Sequence, residues 1–126
     1  MIGWIHVQLG DHQPALAACE QALALFQQLD DSDGQANAWD SLGYANHHLG
    51  RHTEAVTCYQ RAVDLYRTTG DRYFEADTLT HLGDTHHAAG NPQPARDAYQ
   101  QALTIFDQLD RPEADQVRTK LDQLVE

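Results

Sequence analysis

"GRHTEAVTCYQRAVDLYRTTGD", residues 50–71, sets Ala55, Cys58, Tyr59, Ala62, Val63, Leu65 and Tyr66 among polar neighbours. Steps of three and four place these side chains on one face of an α-helix, with the polar residues opposite. The stretch is not unique. "GDHQPALAACEQALALFQQLDD" (10–31) and "GNPQPARDAYQQALTIFDQLDR" (90–111) are copies of it. Gly10, Gly50 and Gly90 are forty residues apart, as are Ala15, Ala55 and Ala95, and Ala22, Ala62 and Ala102. Phe26, Tyr66 and Phe106 keep the same step, as do Leu25, Leu65 and Ile105. Self-similarity at this period predicts stacked repeats that bury their apolar faces on one another.

A second helix precedes each copy. Segment 34–50 carries Ala38, Trp39, Leu42, Ala45 and Leu49 on its inner face, and 74–90 carries Ala76, Leu79, Leu82 and His86 in matching places. Gly50 ends one helix and Pro14, Pro92 and Pro94 open others, where a missing N–H costs little. Gly43 and Gly83 fall inside helices, where glycine costs about 1 kcal/mol against alanine. A neighbouring helix crossing too closely for a side chain would explain them, with tyrosine and alanine filling the contact.

Composition narrows the function. The chain has 126 residues, enough for one domain with a core. Its formal charge is −11, with eight basic residues against nineteen acidic ones, which argues against nucleic acid and against an anionic membrane surface. No apolar run approaches the roughly 18 residues of a membrane span, and no signal peptide is visible. Cys19 and Cys58 lie in apolar-periodic segments and are expected as buried, reduced thiols, so a cytoplasmic location is expected. One lysine against seven arginines, with frequent alanine, points to a high-GC bacterial genome.

Trp39-x2-Leu42-Gly43 with Gly50, Ala55, Tyr59 and Ala62 resembles the tetratricopeptide (TPR) pattern, and Leu79-x2-Leu82-Gly83 with Gly90, Ala95, Tyr99 and Ala102 repeats it. The resemblance implies an all-α superhelix, a right-handed solenoid of stacked antiparallel helix pairs. Two features depart from it. The proline that ends the family's second helix is replaced by Gln27, Arg67 and Asp107, and the period is forty residues where the family has thirty-four. Both imply longer second helices, as in the TPR variants of kinesin light chains and large bacterial regulators. The phrasing also resembles the C-terminal TPR regions of actinobacterial SARP-type and related ATPase-containing transcriptional regulators.

The array is divided into a truncated first repeat (1–31), a second (32–70), a third (71–110) and a charged capping helix (111–126). In this register Met1 matches Ser41, so an excised fragment or an incomplete gene product, with repeats upstream in its parent, is expected. The shortened front would leave Ile2, Trp4, Ile5, Leu23 and Phe26 uncovered, and a homodimer through that end is expected.

The resemblance assigns a peptide or partner groove to Trp4, then Asn37, Asp40, Tyr44, His47 and His48, then Asp77, Thr80, Asp84 and His87. The set lacks the Lys/Asn/Arg pattern with which other members grip a C-terminal carboxylate. A neutral or basic protein segment suits it better, with Trp4 and Tyr44 as anchors. His47 and His87 are equivalent positions in helices about 10 Å apart and would not converge on one ion. Gly50 interrupts the His48–His52 pair, neither cysteine has zinc-ligand spacing, and no metal or cofactor is expected. His86 takes the slot the family gives tyrosine, and the other histidines are expected at the surface. Asp77 and Asp84 share a face, but no nucleophile with a partnered base accompanies them, so no enzymatic activity is expected. Eight histidines among nineteen acids allow a response to acidification near pH 6. The sequence thus reads as a non-catalytic interaction module, the regulatory or sensor part of a larger regulator. Self-association is the alternative, and metal binding the remaining one.

Overall fold

The computed structural model describes residues 12–124, so Trp4 and the rest of the front segment lie outside the described residues. Among the described residues six helices follow one another: α1 (His12–Gln28), α2 (Ser32–His48), α3 (His52–Thr69), α4 (Arg72–Ala88), α5 (Pro92–Gln108) and α6 (Glu113–Gln123). There is no strand among the described residues. Each helix packs on the next, and α2 also meets α4.

The helix ends follow from local chemistry. Asp31 Oδ1 accepts the Gly34 N–H at 2.9 Å, and Asp71 Oδ1 accepts the Phe74 N–H at 3.2 Å. These caps satisfy first-turn donors, and α2 and α4 therefore begin two residues before the expected 34 and 74. Downstream, α2 and α4 stop at the residue pairs Leu49–Gly50 and Ala89–Gly90, where glycine takes φ +77° and +81°. Asp30 and Asp110 adopt the same left-handed region (φ 55°) after α1 and α5, at the repeat position that Gly70 fills after α3. The longer period is not confined to second helices: α2 and α4 have 17 residues, against 18 and 17 in α3 and α5.

The main core cluster takes one face of each helix from α3 onward, built from Ala55, Tyr59, Val63, Ala76, Leu79, Leu82, Ala95, Tyr99, Ala102 and Phe106 and reaching Val117 of the last helix and Leu124 just after it. The expected packing of Tyr99 and Ala102 with Leu79 and Leu82 is present in this cluster. Alanines at 0 % exposure let the axes approach. A β-carbon on Gly43 would stand 2.7 Å from the Tyr59 ring, and one on Gly34 would overlap Phe26. Close approach, as the spacing suggested, is what glycine permits here. Cys19 and Cys58 are buried free thiols in a cluster with Leu23, Ala38 and Leu42. Trp39 and Leu49 are half-buried, and the Arg61 guanidinium lies 5.1 Å over the Trp39 ring.

Polar ties fasten the last helix. Arg111 donates to both Glu113 carboxylate oxygens at 3.2 Å and the Tyr73 hydroxyl donates to Glu113 at 2.8 Å, and these contacts hold the Glu113 carboxyl down to about 2. Lys120 Nζ reaches Asp84 at 2.9 Å, and Arg118 reaches Asp107 at 2.7 Å.

Candidate functional site

The α2/α4 face gathers most of the assigned groove. Tyr44, His47, His48 and Asp84 line a cleft of about 200 Å³ together with Tyr59 of α3 and His81 of α4. Tyr44 is 39 % exposed, and its ring centroid lies 4.3 Å from that of His48. An aromatic flanked by carboxylates can take the apolar stem and the charged head of a long cationic side chain.

Helix geometry sets which side chains meet. On α2, Asn37, Asp40, Tyr44 and His47 fall at i, i+3, i+7 and i+10, one side of the helix. Across from them stand Thr78, His81 and Thr85, on α4 at the same spacing. Thr78 Oγ1 donates to Asp40 Oδ1 at 3.3 Å, His81 Nδ1 stands 3.4 Å from the same oxygen, and His47 Nδ1 lies 2.8 Å from Thr85 Oγ1. One turn back on α4, Asp77 Oδ2 is 4.0 Å from His81 Nε2. His81 thus bridges carboxylates of two successive first helices.

Two assigned residues serve the framework. The Tyr66 hydroxyl donates to Asn37 Oδ1 at 2.5 Å, and Tyr99 does the same to Asp84 Oδ1, also at 2.5 Å. Asp84 in addition receives Lys120, so it ties α4 to α5 and α6 while still facing the cleft. Thr80 turns its hydroxyl back to the Ala76 carbonyl at 3.0 Å, and His87 is exposed and outside the cleft lining.

The histidines differ from one another, which corrects the expectation that most simply face solvent. His47 is half-buried, and desolvation, with His48 and His52 close by, pulls its pKa down. Its ring centroid is 5.1 Å from that of His48 and 5.7 Å from that of His52, since the chain turns back at Gly50 instead of separating these rings. His86 is half-buried as expected for its slot; its Nδ1 is buried without a partner and desolvation lowers its pKa. For His81, burial acts to lower the pKa, but the bond to Asp40 and the charges of Asp40, Asp77 and Asp84 outweigh it, and the net shift is upward. Burial raises the Asp77 pKa, with Asp40 adding to the effect and His81 opposing it. Among the described residues no three His, Cys, Asp or Glu side chains are arranged to hold a metal ion, and no helix is long and apolar enough to cross a membrane.

His81 is the site residue that repeat-by-repeat assignment missed, because its counterpart in the second repeat is Ser41. The i,i+4 spacing from Asp77 was the available signal. A second, more apolar cleft of about 470 Å³ also went unforeseen; it opens among α1, α2 and α3, lined by Leu16, Leu23, Trp39, Leu42 and Cys58 with Glu20 and Glu54.

Consecutive antiparallel helices, a forty-residue period and glycine-tyrosine contacts at the crossings define a helix-pair repeat scaffold. The tetratricopeptide repeat family model matches residues 1–68 and 34–108, and the chain belongs to that family. Such repeats generally mediate protein–protein interactions, and their fold is a non-catalytic scaffold type. Among solved structures, a Podosopora anserina protein named for kinesin light chain, with nearly identical TPR-like repeats, superposes with a TM-score of 0.81 at 19 % identity. That match covers 98 % of this chain and 61 % of the other. BtubC (BKLC) from P. vanneervenii gives 0.83 at 22 % identity over 97 % of this chain and 51 % of its own. The chain therefore spans about half to three-fifths of these structures, and the likeness is one of fold. No curated protein matches the chain.

Proposed function

We propose that the chain is the partner-binding part of a larger regulatory protein and takes a neutral or basic protein segment along its α2/α4 face. The observation that carries this reading is the convergence of Asp40, Asp77, Asp84, Tyr44 and His81 on one face of α2 and α4, the first helices of successive repeats. Asp40 and Asp77 there repel an acidic tail and attract arginine or lysine, Asp84 being paired with Lys120, and a half-exposed tyrosine offers an anchor. No acid–base pair poised on a nucleophile accompanies them, so the reading is recognition without catalysis. A bacterial transcriptional regulator is the parent that the sequence phrasing favours, in the cytoplasm.

The test is a set of acetylated, amidated 12-residue peptides of alanine and leucine bearing three arginines, three citrullines or three glutamates. Titrated into ¹⁵N-labelled protein at pH 8, the arginine and citrulline peptides are expected to shift the amides of Asp40, Tyr44, Asp77, His81 and Asp84. The glutamate peptide is expected to leave them unmoved. Shifts confined to the α1/α3 side, or none with any peptide, would overturn the reading.

Self-association is the second reading, favoured by Leu25 of α1 and Leu29 just after it, which are 52 % and 64 % exposed. A sedimentation coefficient that does not rise with concentration would remove it.

A further inference from the structure

We propose that a proton on His81 closes the α2/α4 face to cationic side chains, so that the hold on a basic segment weakens as the solution is acidified. This rests on the groove reading above and adds its regulation.

The two full repeats differ at three linked positions. Asn37 of α2 becomes Asp77 in α4, Tyr66 of α3 becomes Phe106 in α5, and Ser41 becomes His81. In the second repeat a neutral amide accepts the Tyr66 hydroxyl. In the third the amide is a carboxylate, the ring that follows it has no hydroxyl to give, and an imidazole stands one turn along. A permanent neutral tie has been exchanged for an ionisable one. Asp77 keeps 39 % of its side-chain surface exposed, and Asp40 keeps 28 %, so both remain reachable by a visiting guanidinium.

The charges around the ring fix the sign. Facing His81 are Asp40 and His47 from α2, with Tyr44 and His48 of the same helix lining the cleft beside it, the Tyr59 ring from α3 at 5.8 Å between centroids, and Asp77 and Asp84 on α4 itself. Lys120 of α6 and Tyr99 of α5 reach this set only through Asp84. Neutral His81 leaves Asp40 and Asp77 open to a cation. Protonated His81 sits between them, offsets one of the two negative charges and competes for the same oxygens. His47, with its lowered pKa, takes up its proton at lower pH than His81 does. Acidification thus adds positive charge at the bridge first.

The experiment compares the arginine and citrulline peptides at pH 8 and pH 5.5 by isothermal titration calorimetry. The arginine peptide is expected to bind about fivefold more weakly at pH 5.5, the effect of losing one partly exposed charge contact. The citrulline peptide is expected to bind equally at both, as is the arginine peptide to His81→Gln. Without any peptide, the His81 ring proton resonance is expected to titrate at lower pH in Asp77→Asn than in the wild type, a readout that does not depend on binding. An arginine peptide held equally at both pH values, or a pH dependence that survives in His81→Gln, would overturn the switch and leave the groove standing. Failure of both peptides to bind at pH 8 would overturn the groove and the switch together.

Discussion

The Tyr99 ring lies against Gly83 so closely that a β-carbon there would come within 2.5 Å of Tyr99 Cε1 and 2.6 Å of Cδ1. Tyr99 is 1 % exposed and locked in the core, so the ring cannot swing aside into solvent. Gly83→Ala gains about 1 kcal/mol of helix propensity but forces an overpacked contact costing about 1–3 kcal/mol. A net loss of about 1 kcal/mol is expected in urea unfolding. An unchanged or higher midpoint would show that the crossing is slack.

The same ring supplies a second test through its hydroxyl. Tyr99 donates to the charged Asp84, and Tyr66 to the neutral Asn37, both at 2.5 Å. Bonds to charged acceptors contribute about 1.5–3 kcal/mol and neutral ones about 1, but Asp84 is one-third exposed and keeps Lys120. Tyr99→Phe is therefore expected to destabilise by about 1–1.5 kcal/mol and Tyr66→Phe by about 0.5–1 kcal/mol. The reverse order in paired denaturation curves would contradict this account.

Much of this architecture was legible because repetition multiplies a weak signal. One glycine inside a helical pattern says little, but Gly43 and Gly83 at the same step as Tyr59 and Tyr99 specify a crossing. Helix starts were less legible: Asp31 and Asp71 cap from outside the apolar pattern, so a reading led by apolar spacing began two residues late. The site was legible only in part, because the family register marks positions and not partners. It named Asp40 and Asp77, which stand on the α2/α4 face, but passed over His81, where the repeats differ. It could not foresee that Asn37 and Asp84 would be claimed by tyrosines arriving from the following helix.

Arg67 and Glu75 should respond unequally to truncation. Glu75 has 7 % of its side chain exposed and receives Arg67 Nε at 2.7 Å, while Arg67 is 48 % exposed and also reaches Gln101. Removing the arginine strands a buried carboxylate, whereas removing the carboxylate leaves a cation with water at hand. Arg67→Ala is expected to lose about 2 kcal/mol and Glu75→Gln under about 1 kcal/mol, with Glu75→Gln partly rescuing Arg67→Ala. Equal single losses in thermal denaturation would count against the asymmetry.

The two thiols should be inert while the chain is folded. Burial is the leading cause that pushes Cys19 up to about 11 and raises Cys58 as well. Thiolate is the nucleophile, so little of it exists at pH 8. Iodoacetamide is expected to modify neither residue in native buffer within hours, and both promptly in 6 M guanidinium chloride. Fast native labelling of either would mean that the α1/α2/α3 cluster opens locally.

His81 also predicts a stability signature that needs no ligand. Its folded pKa is raised above the unfolded value of about 6.5, so the native state gains from its proton. That contribution is fully present below about pH 6.5 and is lost as the pH rises through the folded pKa. His47 and His86 act oppositely: their lowered values favour the neutral ring, so their contribution holds above about pH 6.5 and disappears as the pH falls through the folded pKa. The whole-protein curve therefore mixes both signs, and the difference between wild type and His81→Gln isolates one of them. With one-third of the His81 side chain exposed, solvent screening holds the effect to about 0.5 kcal/mol. The stability advantage of wild type over His81→Gln, from urea midpoints, is expected to be larger at pH 5.5 than at pH 8. If that difference stayed constant across the range, the Asp40–His81–Asp77 bridge would not be holding a proton in the folded state.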